Sequence, residues 1–138
     1  MKGTKAKVLF SAVAVLLLGA ATGCSQGHHG NLSRIHFDLD RYDIKAEFQD
    51  ELASNAAWMQ SHPNSNLVVE GHCDERGSTE YNIALGDRRA KAAKAYLQHL
   101  GVNGARTSTI SYGEERPLCN EHNEGCWWKN RRAEFLSK

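Results

Sequence analysis

The sequence has 138 residues, among them 17 lysines and arginines against 16 aspartates and glutamates. A chain of this length provides one small domain with a modest hydrophobic core. The near-zero net charge comes without a basic stripe, which argues against a nucleic-acid-binding protein.

Residues 1–23 have the pattern of a secretory signal peptide, because three lysines precede an apolar run over residues 8–18. The run is shorter than the ~20 residues that a membrane span needs. The small residues that follow lead to Cys24 and resemble the lipobox of bacterial lipoproteins. That resemblance implies cleavage before Cys24, a lipid on its thiol and, with Ser25 next, sorting to the outer membrane. The alternative is ordinary cleavage near Ala21, with Cys24 as a spare thiol.

Residues 24–32 form a short polar tether, and residues 33–138 form the predicted domain. Period-two alternation predicts strands, and apolar residues at every third or fourth position predict helices. In chain order we predict a strand at 34–38, a helix at 44–61, a strand at 66–70, a helix at 79–100, a strand at 107–112, a loop or short helix at 119–130 and a strand at 132–136. Strands that alternate with helices in one short chain favour an α+β fold, a two-layer α/β sandwich.

The stretch GHCDERG, residues 71–77, places five polar or reactive side chains between two glycines. Side chains alternate along a strand, so Cys73 continues the core-facing row of Leu67, whereas His72 and Asp74 face the other way. A thiol nucleophile needs exposure and a paired base, and Cys73 has neither in this arrangement. We therefore predict no catalytic residue, no metal and no cofactor.

The apolar positions of the long helix form one stripe: Tyr81, Leu85, Ala92, Tyr96 and Leu100. Arg89 falls inside this stripe, and a buried arginine needs a partner because an unpaired charge in the interior is costly. Asp74, just past the neighbouring strand, is the candidate partner. Two interpretations stay open, a structural Asp74–Arg89 ion pair or a cleft in which the two bind a zwitterionic amino-acid centre.

The run VVEGHCDERGSTEYNIALGDRRAKAAKAYLQHLG, followed by SYGEERP and KNRRAEF, resembles the OmpA-like C-terminal domain family over residues 35–135. The resemblance implies a βαβαβ-type domain, with a small mixed sheet packed on helices. It also implies non-covalent binding of the meso-diaminopimelate residue of the peptidoglycan stem peptide. The family's key aspartate and arginine fall on Asp74 and Arg89. Its further pocket or supporting positions fall on Phe37, Asp38, Arg76, Gly77, Leu85 and Arg131.

Together with the leader, the resemblance implies a lipid-anchored outer-membrane protein whose domain faces the periplasm and links the membrane to the cell wall. It further implies work with the Tol system in envelope integrity and constriction at cell division. The expected partners are peptidoglycan, TolB, TolA and other outer-membrane proteins. The alternative is a wall-binding lipoprotein of the same family that works without Tol partners.

Cys119 and Cys126 bracket the segment before the last strand. In the oxidising compartment that the leader implies, a disulfide between them is expected. A zinc site that adds His122 is the alternative, although the sequence offers no clear fourth ligand.

Overall fold

The computed structural model describes residues 32–138. The predicted signal peptide, the lipidation site Cys24 and nearly all of the tether therefore lie outside the described residues. The elements in chain order are β1 (Ile35–His36), α1 (Gln49–Ser61), β2 (Leu67–His72), α2 (Thr79–His99), β3 (Thr107–Gly113), α3 (Glu124–Asn130) and β4 (Arg132–Ser137). Within residues 32–138, no helix combines the length and apolarity that a membrane span requires.

The four strands form one mixed sheet in the order β1-β4-β2-β3. β2 and β3 run parallel, and β4 lies antiparallel to both β2 and β1. The strand predicted at 34–38 is reduced to two residues, since the chain leaves the ladder after Phe37 donates its amide to the carbonyl of Arg131. The mixed sheet with its helices confirms the predicted α+β class.

The core lies where α1 and α2 meet one face of the sheet. Its fully buried members come from both layers: Ile35, Phe37, Leu52, Met59, Leu67, Val69, Ala90, Ala93, Leu97 and Ala133. Burying such side chains contributes roughly 25 cal/mol per Å² of apolar area. This layer fixes the position of α2 relative to the end of β2, where the candidate site forms.

The stripe that α2 buries differs from the predicted one. Its buried residues are Asn82, Leu85, Gly86, Arg89, Ala90, Ala93 and Leu97. Tyr81, predicted in the stripe, is 41% exposed, whereas Arg89 is fully buried as expected. The small residues Gly86, Ala90 and Ala93 cause this difference, because they let the backbone of α2 approach the sheet closely. The tyrosines then lie at the edges of the buried stripe.

Candidate functional site

A cavity of about 280 Å³ opens where β2 ends and α2 begins. Eleven residues line it: Leu39, Asp40, Cys73, Asp74, Arg76, Gly77, Tyr81, Asn82, Leu85, Arg89 and Arg131. Six of these are among the residues that the family resemblance selects. The loop over residues 73–78 supplies one wall, and it ends at Ser78, whose hydroxyl caps α2 by accepting the amide of Tyr81.

Phe37 and Asp38, also selected by the resemblance, do not line this cavity. The Phe37 ring is buried below Arg89, with the guanidinium carbon 5.2 Å from the ring centroid. The Asp38 carboxylate points outward and accepts a hydrogen bond from Lys45 Nζ at 3.0 Å. The chain turns after this point, so Leu39 and Asp40 take their place in the wall. Phe37 and Asp38 support the site from behind through their backbone carbonyls.

Arg89 forms no ion pair with Asp74, so the structural-pair interpretation of these two residues is wrong. Its guanidinium donates instead to three carbonyls, with Nε bonded to Arg41 O at 2.8 Å, Nη1 to His72 O at 2.9 Å and Nη2 to Asp38 O at 3.1 Å. These bonds use three of its five N–H groups and leave two for other partners. The result is a buried cation at the cavity wall whose charge is not matched by a bonded carboxylate.

Asp74 is held by two other arginines. Its Oδ1 accepts the Arg76 amide at 3.0 Å and Arg76 Nε at 3.1 Å, while Oδ2 accepts Arg76 Nη2 at 2.7 Å and Arg131 Nη1 at 3.3 Å. Burial raises the pKa of the Asp74 carboxyl, but these hydrogen bonds outweigh it and hold the pKa below its ordinary value. Asp74 is therefore an anion throughout the neutral range. The stability from its pairing is present above the pKa of an unfolded aspartate and is lost as the pH falls through the folded-state pKa.

The short helix α3 positions both of these arginines. Glu124 in its first turn binds the Arg131 guanidinium, which also donates from Nε to Phe37 O at 2.9 Å. The Trp127 ring lies 4.1 Å from the Arg76 guanidinium carbon, and its indole N–H donates to Glu75 at 2.8 Å. Sequence reasoning missed Glu124 and Trp127 as parts of the site. The available signal was Asn123, which caps α3 directly before Glu124.

Cys73 is an unreactive thiol. It is buried at the cavity wall, and its Sγ donates to the carbonyl of Asn82 at 3.2 Å. Burial raises the pKa of the Cys73 thiol to about 11, so the nucleophilic thiolate is scarce at neutral pH. Burial likewise lowers the pKa of the neighbouring His72 to about 4, which keeps that imidazole neutral.

Among the described residues, two groups of side chains have the spacing of metal ligands, but neither offers the donors that a metal ion needs. Cys119 and Cys126 are joined by a disulfide, so the grouping of these sulfurs with Glu121 offers no thiolate. A second grouping joins Glu70, His72 and Glu134 on the face of the sheet opposite α2. Its Glu134 carboxylate is already paired with Arg132 Nε at 2.7 Å and with Arg34 at 3.6 Å. These two guanidinium groups oppose a cation there.

Reducing the disulfide between Cys119 and Cys126 is expected to lower the free energy of unfolding by about 2.5 kcal/mol. The bond closes an eight-residue loop, and without it the unfolded chain gains conformational entropy. Urea denaturation with and without a phosphine reductant measures this difference. A variant with serine at both Cys119 and Cys126 is the control and should not respond to the reductant. An equal response in that variant would assign the effect to other residues.

The sequence profile of the OmpA family matches residues 36–127, so the chain contains a domain of the OmpA type. Peptidoglycan-associated lipoproteins of Brucella melitensis biotype 1 and Mesorhizobium japonicum are each 49% identical over 117 residues, covering 83% of this chain and 70% of theirs. The chain therefore belongs to the OmpA family and, within it, to the peptidoglycan-associated lipoproteins.

Solved structures agree with this assignment. The crystal structure of the peptidoglycan-associated lipoprotein from Burkholderia pseudomallei has a TM-score of 0.74 and 38% identity, covering 76% of this chain and 89% of that one. The OmpA-like domain of FopA1 from Francisella tularensis has a TM-score of 0.68 at 22% identity, with 76% and 69% covered. The second likeness shows the fold alone.

Proposed function

We propose that this protein binds peptidoglycan non-covalently through the cavity between Asp74 and Arg89. The observation that carries the proposal is the bonding of these two residues. An anion and a cation line one cavity, and each is hydrogen-bonded to other groups of the protein rather than to its counterpart. Opposite charges presented in this way match a ligand that carries both an ammonium and a carboxylate.

The free amino-acid centre at the end of the meso-diaminopimelate side chain is such a ligand. Its carboxylate suits the two N–H groups that Arg89 has left, because guanidinium and carboxylate form parallel hydrogen bonds. Its ammonium suits the Asp74 carboxylate. Leu85 and Leu39 supply apolar wall for the methylene chain between the stem peptide and this centre. Shape and charge together support recognition of the stem peptide rather than of the sugar chain.

The predicted lipoprotein leader and the family support a wider role. Anchored through Cys24 in the outer membrane, the domain faces the periplasm and links that membrane to the cell wall. We place it in the Tol-Pal system, with TolB, TolA and other outer-membrane proteins as partners, in envelope integrity and constriction at cell division. Leu39, Tyr42 and Tyr81 are exposed at or next to the cavity mouth, so a protein partner on this surface would compete with peptidoglycan.

Binding involves no chemical step in this proposal. The thiol of Cys73 is buried and protonated, and the carbonyl of Asn82 rather than a base accepts its hydrogen bond. The buried carboxylate of Asp74 accepts hydrogen bonds from two arginines that hold its pKa below the ordinary value, so it is a poor general acid or base at neutral pH. The protein is therefore a binding module and not a peptidoglycan hydrolase.

Asp74→Asn is expected to weaken co-sedimentation with purified peptidoglycan by about tenfold or more, the worth of one charge-assisted hydrogen bond. The amide keeps the shape of the side chain but removes its charge. Asp87→Asn is the matched control, since Asp87 lies on α2, pairs with Lys91 on the surface and does not line the cavity. A folded Asp74→Asn variant that co-sediments like the wild type would contradict the proposed site.

The Tol assignment has a separate test. Purified TolB is passed over the immobilised protein, with soluble stem peptide as competitor. Retention that the stem peptide reverses supports membership of the Tol system and an overlapping site. Without retention, the protein is a wall-binding relative that works independently of Tol.

A further inference from the structure

The Asp74 carboxylate has no free acceptor position. A carboxylate offers about four lone-pair sites on its two oxygens. The Arg76 amide and Arg76 Nε take both sites on Oδ1, and Arg76 Nη2 and Arg131 Nη1 take both on Oδ2. A cation from outside can therefore bond to Asp74 only if one of these donors withdraws.

Arg76 is the donor that is free to withdraw. Its side chain is 34% exposed, whereas that of Arg131 is 4% exposed and is also bonded to Phe37 O and Glu124. Arg76 sits in the loop before Gly77, which has a φ of +105° in the left-handed region open to glycine.

The displaced guanidinium has a second place to bind within a short distance. It already lies 4.1 Å from the centre of the Trp127 ring, and its Nη2 is 3.9 Å from Glu124 Oε2. A cation over an indole face is attracted by the ring, and a carboxylate can take over its hydrogen bonds. Release from Asp74 therefore leaves Arg76 partly compensated at the cavity wall.

We propose that Arg76 is a specificity-determining residue that competes with the ligand's cation for Asp74, an inference that rests on the proposed function. A simple amine that binds Asp74 replaces the two-pronged ion pair between Arg76 and Asp74 with one ammonium contact, so its binding gains little free energy. A zwitterion gains a second contact, because its carboxylate reaches Arg89 and the released Arg76. The internal competitor therefore makes the site reject amines that carry no carboxylate.

The test compares meso-diaminopimelate with 1,5-diaminopentane, which is the same diamine without the two carboxylates. Binding to the full-length wild type and to Arg76→Gln is followed by NMR titration. Wild type should bind meso-diaminopimelate and discriminate against the diamine. In Arg76→Gln the affinity for the diamine should rise about tenfold, and the ratio of the two affinities should fall by a similar factor.

Arg88→Gln is the matched control, because Arg88 does not line the cavity and the change removes a positive charge from the exposed side of α2, where Nε donates to the carbonyl of Ala84 and the guanidinium carbon lies 5.8 Å from the centre of the Tyr42 ring. This variant should keep the wild-type ratio of affinities. Arg76→Lys retains the charge with a single prong and should fall between wild type and Arg76→Gln. If Arg88→Gln changes the ratio of affinities as much as Arg76→Gln does, the effect comes from the net charge of the protein, and the proposal is overturned.

A second readout follows Arg76 directly. On adding meso-diaminopimelate, the Nε–H resonance of Arg76 should move as it leaves Asp74, while that of Arg131 stays in place. If Arg76→Gln weakens both probes equally, or if neither probe binds any variant, Arg76 is not a competitor and the proposal fails. If the diamine binds Arg76→Gln but wild type ignores meso-diaminopimelate, the competition stands and the peptidoglycan proposal fails.

Discussion

Gly71→Ala is expected to destabilise the domain by about 3 kcal/mol or more, at the upper end of what overpacking a core costs. A Cβ on Gly71 would lie 1.8 Å from the carbonyl oxygen of Gly86 and 2.5 Å from its carbonyl carbon. Both are backbone atoms, so no rotamer change relieves the clash. The strand β2 and the helix α2 would have to separate.

Gly86→Ala is expected to cost less than Gly71→Ala. Its Cβ would meet Ser111 Oγ at 2.2 Å, a side-chain atom that can rotate away, and the backbone oxygen of Gly71 only at 3.0 Å. Free energies of unfolding from urea denaturation rank the two variants. Gly125→Ala in α3 is the control, because its Cβ meets only a side-chain oxygen at 3.2 Å. A Gly71→Ala variant within 1 kcal/mol of wild type would contradict the close approach of strand and helix.

The close contact between the backbones of β2 and α2 explains why the hydrophobic pattern of α2 predicts the wrong buried stripe. Periodicity alone selects the largest apolar side chains, and on that basis Tyr81 and Tyr96 belong to the buried stripe. The structure instead turns Gly86, Ala90 and Ala93 toward the sheet. Small side chains contribute little to a hydrophobicity pattern, although they decide how near two backbones can come. The order of strands and helices, by contrast, follows from alternation that is visible in the sequence.

The sequence predicts the candidate site only in part, because many of its contacts involve backbone atoms or residues far apart in the chain. Helix phase placed Arg89 inside the protein, and strand phase placed Asp74 at its end. The partners of Arg89 are backbone carbonyls, and every residue has one, so no sequence pattern marks them. Arg131 lies 57 residues from Asp74, and their contact depends on how β4 joins the sheet. Such a contact is a property of the topology and not of a local motif.

Arg89→Met is expected to lower the free energy of unfolding by about 4 kcal/mol, because three carbonyl groups lose a buried donor. The methionine fills much of the same volume and removes a buried charge, which offsets part of the loss. Arg89→Lys should cost about half as much, since an ammonium has three donors but cannot spread them across a planar fork. Urea denaturation measures both changes. Arg88→Met is the neighbouring control and should stay within about 0.5 kcal/mol of wild type.

Arg89 therefore has a structural role beside the binding role proposed for it, and Arg89→Met cannot separate the two. Its bonds tie together the carbonyls of Asp38, Arg41 and His72, which come from the loop after β1 and from the end of β2. A loss of peptidoglycan binding in Arg89→Met would follow from either role. Arg89→Lys, measured where it is fully folded, isolates the binding role because it keeps the charge and loses the bidentate fork. Wild-type stability in Arg89→Met would contradict the structural role, and wild-type binding in folded Arg89→Lys would contradict carboxylate recognition by a guanidinium fork.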